Sequence, residues 1–408
     1  MRRFLTSFFR LALRIFFKRI EIVGLENIPE REAVIFAVNH PNGLVDPLFV
    51  LCFAPRDVSF LAKAPLFKTP FIGYLVRALD SIPVYRKEDQ TAGSNEQTFS
   101  RATEILRHGG GIAIFPEGTT HSDPSMRELK TGAARIALGA SLPVIKVIPA
   151  GIYYTAKHVF RSEALVWFGK PISVESNDVS EESVRGVTAR IDKALDALTL
   201  QADSRSALEL VERAETIFSA GRDIPLAEEL ELRQRFVDGY HYLHQRHPAR
   251  LARLEGLVRQ IQTESLVGPR LDAGTIIRVV ILFPLAVIGA LIHYPSYRLI
   301  AALAVHFSRG ESALIATVKF VSALLIYPLT WMAAAVVLFF GFGPLAALAA
   351  IVALPLLGYI ALVVFEDIDE AIGRTRALLH RSRETLAKQR NSIRAELLAI
   401  GDEIGRNV

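Results

Sequence analysis

A chain of 408 residues is long enough for two or three domains, and 51% hydrophobic with 22% charged residues excludes a disordered or collagen-like polymer. The single cysteine, Cys52, excludes a disulfide framework and a cysteine-based zinc site. A net charge of +5 suits anionic lipid as well as nucleic acid, and the positive mean hydropathy of +0.30 directs attention to membrane segments.

Residues 1–19, MRRFLTSFFRLALRIFFKR, resemble a secretory signal only superficially, because Arg10 and Arg14 interrupt the apolar run. At about 100° per residue, Arg3, Arg10, Arg14 and Lys18 share one sector, and Leu5, Phe9, Ala12, Leu13 and Phe16 the opposite one. This pattern predicts a basic amphipathic helix lying on an anionic leaflet; the alternative is a helix packed on its own domain.

From residue 20 to 175, short apolar runs alternate with helical stretches. Strands are predicted at Ala33–Val38, Ile82–Tyr85, Ile112–Phe115, Val144–Ile152 and Ala164–Phe168. Helices are predicted at Pro47–Phe53, Pro70–Leu79, Glu96–His108 and Met126–Leu138. Such alternation predicts an α/β sheet. Residues 176–270 are rich in Ala, Leu, Glu, Arg and Gln and read as a helical insertion without strands.

Residues 271–365 read as a membrane region. Phe320–Phe365 contains no Asp, Glu, Lys, Arg or His and is broken near its middle by Gly341, Gly343 and Pro344, which predicts a transmembrane hairpin. Val279–Tyr297 is shorter and carries Pro284, His293 and Pro295, so it reads as a span or as a re-entrant or interfacial segment. The charged tail, 366–408, repeats Ile372, Leu379, Leu386, Ile393 and Ile400 every seven residues. That row suits a dimer seam or a helix packed along its own protein.

Chemistry-bearing residues gather where strands end, the usual place for a ligand crevice in an open α/β sheet. The first strand runs into Asn39-His40-Pro41-Asn42-Gly43-Leu44-Val45-Asp46. A histidine oriented by a carboxylate can deprotonate a hydroxyl, provided the breakers Pro41, Asn42 and Gly43 fold the loop back. Asp46 before Pro47 equally suits a helix N-cap, so the pair alone leaves both readings open. Arg86-Lys87 is a candidate anion clamp or a strand-end pair of solvated cations. Pro116-Glu117-Gly118-Thr119-Thr120-His121 can present a carboxylate and free backbone N–H groups, and Lys130-Thr131-Gly132 opens a helix where phosphate would be welcome. Val147-Ile148-Pro149-Ala150 reads by itself as core. His241, His244 and His247 drift off one helical face and have no carboxylate cluster beside them, so a metal site is not expected there.

The order NH…D, IPVYR, FPEGT, VIPA resembles the four blocks of the glycerophospholipid acyltransferase family. Five residues separate His40 from Asp46 where the family usually has four. This is similar to the branch of microsomal glycerol-3-phosphate acyltransferases, as are SALELVERAETIF and LAEELELRQRFVDGY in the insertion. Thr120 stands where the family often has Arg. The resemblance implies an α/β acyltransferase domain with a helical insertion and a C-terminal transmembrane helical region. It implies transfer of a fatty acyl group from acyl-CoA or acyl carrier protein to glycerol 3-phosphate or a lysophospholipid. His40 would be the general base, Asp46 its partner, and Arg86, Glu117, Gly118, Thr119, Lys130 and Pro149 the substrate-binding set. No metal, cofactor or nucleic acid is implied. The partners would be membrane lipids, the thioester donor and the phosphate-bearing acceptor, with the tail offering a homodimer seam. The catalytic domain would face the cytoplasm from the inner membrane. An acyl-thioester hydrolase and a non-catalytic membrane-shaping scaffold are the alternatives.

Overall fold

The structure, a computed structural model, describes residues 1–69, 72–85, 95–175, 179–261, 273–308, 311–379 and 383–406. Backbone contacts divide the chain into two units, 1–201 with 311–317, and 202–310 with 318–408.

The first unit is built on a mixed sheet. Its strands are β1 (Arg19–Val23), β2 (Val34–Val38), β3 (Val58–Lys63), β4 (Ile82–Val84), β5 (Gly111–Ile114), β6 (Val144–Tyr154), β7 (Glu163–Phe168) and β8 (Ile172–Glu175). They are ordered β1-β7-β6-β2-β5-β3-β4, with β8 also on β6. β2 lies parallel between β5 and β6, its five residues all buried, which is why it reads as an unbroken apolar run. β6 meets β7 and β8 antiparallel.

Helices cover the sheet: α1 (Arg2–Phe16), α2 (Val45–Phe53), α3 (Ile72–Ala78), α4 (Asn95–Arg107), α5 (Gly132–Gly139) and α6 (Glu181–Asp196). α6 buries Val184, Val187, Ile191 and Leu195 in one core with Ile35, Ile112 and Val147. By packing it belongs with the sheet, although its composition placed it in the insertion. α5 starts six residues after the predicted Met126. Residues 126–131 stay non-helical because the Met126 N–H donates to Gln201 (2.7 Å) and the Arg127 N–H to Glu117 (3.2 Å).

α1 forms as expected, but the face predicted for lipid turns inward. Phe9, Leu13 and Phe16 are buried, Phe16 stacks edge-on to Phe160, and Arg10 Nε donates to the carbonyl of the buried Cys52 at 2.9 Å. A different stripe, Phe4, Phe8, Leu11 and Ile15, is left exposed.

The second unit is helical: α7 (Arg205–Ser219), α8 (Leu226–Arg246), α9 (Pro248–Gln260), α10 (Ala273–Ser308), α11 (Ser312–Phe342, whose first residues to Thr317 belong to the first unit), α12 (Pro344–Leu379) and α13 (Arg383–Arg406). Three of these, Ala273–Ser308, Ala313–Phe342 and Pro344–Ile372, are long and apolar enough to cross a membrane. The predicted hairpin is α11 and α12, turned by Gly343 at φ +87° with Pro344 opening the next helix. The segment Val279–Tyr297, read as a span or as a re-entrant or interfacial segment, lies within α10, which is helical for 36 residues through Pro284 and Pro295.

Within this chain, the described part of α13 packs along its own protein. Ile393 and Ile400 are buried in one core with Leu210, Ile217, Leu243, Leu251 and Val258. Arg250 of α9 ties this core to α13 through Glu396 (2.6 Å) and Glu403 (2.9 Å). His241 faces Asp203 at 2.8 Å.

Candidate active site

The loop leaving β2 folds back on itself, as its breakers predict. Gly43 sits in the left-handed region at φ +41°, and a Cβ there would lie 2.4 Å from Thr317 Oγ1, so a side chain has no room. That hydroxyl accepts the Leu44 N–H at 3.1 Å.

The turn brings His40 and Asp46 together. His40 Nδ1 donates to Asp46 Oδ2 at 2.8 Å, and a carboxylate can only accept, so the proton sits on Nδ1. Asp46 is fully buried. It lies inside the first turn of α2, with Leu44 at the N-cap position, and its side chain serves the loop instead: Oδ2 also accepts the Asn42 N–H at 2.6 Å. Tyr154 Oη, at the end of β6, donates to Oδ1 at 2.6 Å. Burial, then the charge of Asp46, pushes the Tyr154 phenol well above its ordinary value, so it stays protonated. The His40 ring stacks on Phe115, centroids 4.2 Å apart. Its Nε2 has no hydrogen-bond partner among the described residues.

Glu117 joins the loop after β5 to the loop after β2. Oε1 accepts the His40 N–H at 2.7 Å; Oε2 accepts the Arg127 N–H and the His121 Nε2–H. Burial raises the Glu117 carboxyl. The hydrogen bond and charge of His121, with the two backbone donors, outweigh it and hold the group below the usual range, so Glu117 is ionised. Lys157 Nζ spans the same two loops, donating to the Pro41 carbonyl (3.1 Å), the His121 carbonyl (3.2 Å) and Ser122 Oγ (2.9 Å).

Gly118 follows in the left-handed region at φ +72°. A Cβ there would lie 2.8 Å from Lys130 Cε and 3.1 Å from its Nζ, so the exposed Lys130 lies directly over this glycine. Thr119 is half-buried beside it. Pro149 is not brought in: it is buried within β6, paired with Ala37 and against Gly169. Arg86 lies outside the described residues.

Sequence reasoning missed Tyr154, His121, Lys157 and Thr317. Only His121, four residues after Glu117 in the same motif, carries a local signal.

Residues 19–152 match the family model described as Acyltransferase. An uncharacterized acyltransferase of Schizosaccharomyces pombe is 24% identical over 342 residues, 60% of this chain and 50% of that protein. Glycerol-3-phosphate O-acyltransferase 2 of Saccharomyces cerevisiae is 31% identical over 157 residues, 36% of this chain and 21% of that protein. A 1-acyl-sn-glycerol-3-phosphate acyltransferase of Borreliella burgdorferi is 28% identical over 175 residues, 42% of this chain and 68% of that protein. The chain thus spans half of the first of these relatives and about a fifth of the second. The His40–Asp46 pair and the Glu117 bridge both fall inside the segment, residues 19–152, that matches the Acyltransferase model.

Proposed function

We propose that the protein is a membrane-bound glycerophospholipid O-acyltransferase. It moves a fatty acyl group from acyl-CoA or acyl carrier protein to glycerol 3-phosphate or 1-acylglycerol 3-phosphate. The observation that carries this reading is the pairing of half-buried His40 with fully buried Asp46 at the end of β2, 2.8 Å apart within the family-matched segment.

His40 Nε2 takes the proton of the acceptor hydroxyl as its oxygen attacks the thioester carbonyl carbon. Asp46 holds the ring and steadies the imidazolium. The tetrahedral intermediate collapses, the C–S bond breaks, and the leaving thiolate takes the proton back from His40. The products are an ester and a free thiol, with no acyl-enzyme. Arg86 and Lys130 hold the acceptor phosphate with Gly118 and Thr119. Glu117, its oxygens already engaged by protein donors, supports the acceptor side by holding both loops. The scheme draws on no metal or prosthetic group.

Attachment to the bilayer has two supports, the long apolar helices and the exposed stripe of α1, which runs beside exposed Arg3, Arg14 and Lys18. The catalytic unit faces the cytoplasm, where acyl thioesters are made.

The test offers detergent-solubilised protein radiolabelled acyl-CoA or acyl carrier protein, each with glycerol 3-phosphate, with 1-acylglycerol 3-phosphate, or with no acceptor. Label entering a phospholipid only when acceptor is present supports the proposal. Release of free fatty acid at the same rate without acceptor would mean a hydrolase.

A further inference from the structure

Asp46 has no oxygen to spare. Oδ2 serves His40 and Asn42; Oδ1 serves Tyr154, which comes from a strand 108 residues away. The tyrosine is itself held: its ring stacks on Phe17 (5.6 Å) and meets Phe49 edge-on (5.8 Å), both fully buried. A carboxylate anchored through one oxygen can rotate about its terminal torsion, which is broad for Asp. Anchored through both, it can present only Oδ2 to the imidazole. In so dry a setting the phenolic donor also draws on the charge that Asp46 offers to His40.

We propose that Tyr154 is a positioning residue for the general base: its hydroxyl fixes the Asp46 carboxylate so that His40 stays oriented and its basicity stays moderated. The role rests on the base assignment made above for His40, and nothing in that scheme uses the tyrosine. The charged and titratable groups around the pair are Tyr154 from β6, Glu117 and His121 from the loop after β5, and Lys157 from the turn after β6. Phe17 and Phe49, the neighbours from the other side, carry no charge. Tyr154 is the one whose hydroxyl can be deleted without altering shape.

The experiment compares wild type, Tyr154→Phe, His40→Ala and the double variant with palmitoyl-CoA and the better acceptor, following kcat, both KM values and the pH profile of kcat/KM. A hydrogen bond to a charged group suggests a kcat loss in Tyr154→Phe of about ten- to hundred-fold, with both KM values unchanged. The low-pH limb should move upward, because an Asp46 relieved of its donor holds the imidazolium more tightly. The double variant should be no slower than His40→Ala. A wild-type kcat and an unmoved limb in Tyr154→Phe would overturn the role, as would a further loss in the double variant. Wild-type turnover in His40→Ala would overturn the base assignment itself, and the tyrosine's role with it. A melting curve on Tyr154→Phe confirms that the folded protein is being compared.

Discussion

The backbone N–H of His40 donates to Glu117 Oε1 at 2.7 Å, a bond between residues 77 positions apart. The loop that carries the base is therefore shaped by a side chain from the loop after β5. His121 and Arg127 complete the carboxylate's coordination from the other side. Three donors converge on an acceptor that must be ionised to satisfy them, and this gives the first prediction.

Glu117 is held below its ordinary value in the folded protein. Its contribution to stability is therefore complete above the unfolded value of about 4.3 and is lost as pH falls through the lower folded one. Glu117→Gln replaces one acceptor by a donor facing other donors, so it should melt at a lower temperature at pH 7. The gap to wild type should narrow as pH drops below about 4. Thermal melts in detergent between pH 3.5 and 7 measure it; a gap that stays constant means the carboxylate is not ionised in the fold.

His40→Ala should remove most activity while leaving the protein folded, since general-base catalysis supplies about 10²–10⁴-fold. Product formation by a well-inserted variant decides this, and wild-type turnover would sink the mechanism.

Arg86 is the first cation proposed for the acceptor phosphate, because a guanidinium grips phosphate bidentately and keeps its charge at any working pH. Arg86→Ala should raise the acceptor KM by about ten- to hundred-fold and leave the donor KM nearly unchanged. Lys130→Ala should move the same constant in the same direction, since Lys130 lies over Gly118. A raised donor KM with an unaltered acceptor KM would place the cation at the coenzyme A or carrier-protein phosphate instead.

Membrane topology follows from parity. α13, after the apolar helices, shares a core with α7 and α9, before them, so the chain returns to the face it left. The number of complete crossings between them should therefore be even, although three helices are long enough. Lys319 lies in the first turns of α11, before the uncharged run of the α11–α12 hairpin, arginines at 374 and 376 follow that run, and its turn is uncharged. By the positive-inside rule this hairpin should be the crossing pair, with both ends cytoplasmic. Cysteines introduced at Ser206, Glu311 and Ser392 should all label from one side of sealed vesicles. Opposite sidedness for Ser206 and Ser392 would mean an odd number of crossings; a displaced Glu311 alone would mean that α10 crosses.

What could be read in advance followed physical range. β2, β5 and β7 are buried apolar runs, and the hairpin turn is written in Gly343 and Pro344, so each is visible locally. β1, β3 and β8 are not: Arg19 and Glu21 break up the first, Ala62 and Lys63 blunt the second, and Ser173 and Glu175 leave the third only two apolar positions. His40 and Asp46 are six positions apart, and the breakers between them dictate the fold-back. Tyr154 and Lys157 reach the same loop across 108 and 116 positions, and only the β2–β6 pairing creates that proximity. The inward face of α1 was misjudged because the sequence shows which residues are apolar but not which of two apolar stripes finds a surface.

Cys52 bears on how introduced cysteines are read. It is buried under α1, its sulfur against the Thr6 carbonyl at 3.6 Å, and burial pushes the thiol up to about 12. At any working pH it is not a thiolate, and thiol reagents and disulfide exchange require one. The natural chain should therefore label little with maleimides, which a control without engineered cysteines measures. Its turnover should also be indifferent to whether the surrounding compartment is reducing or oxidising.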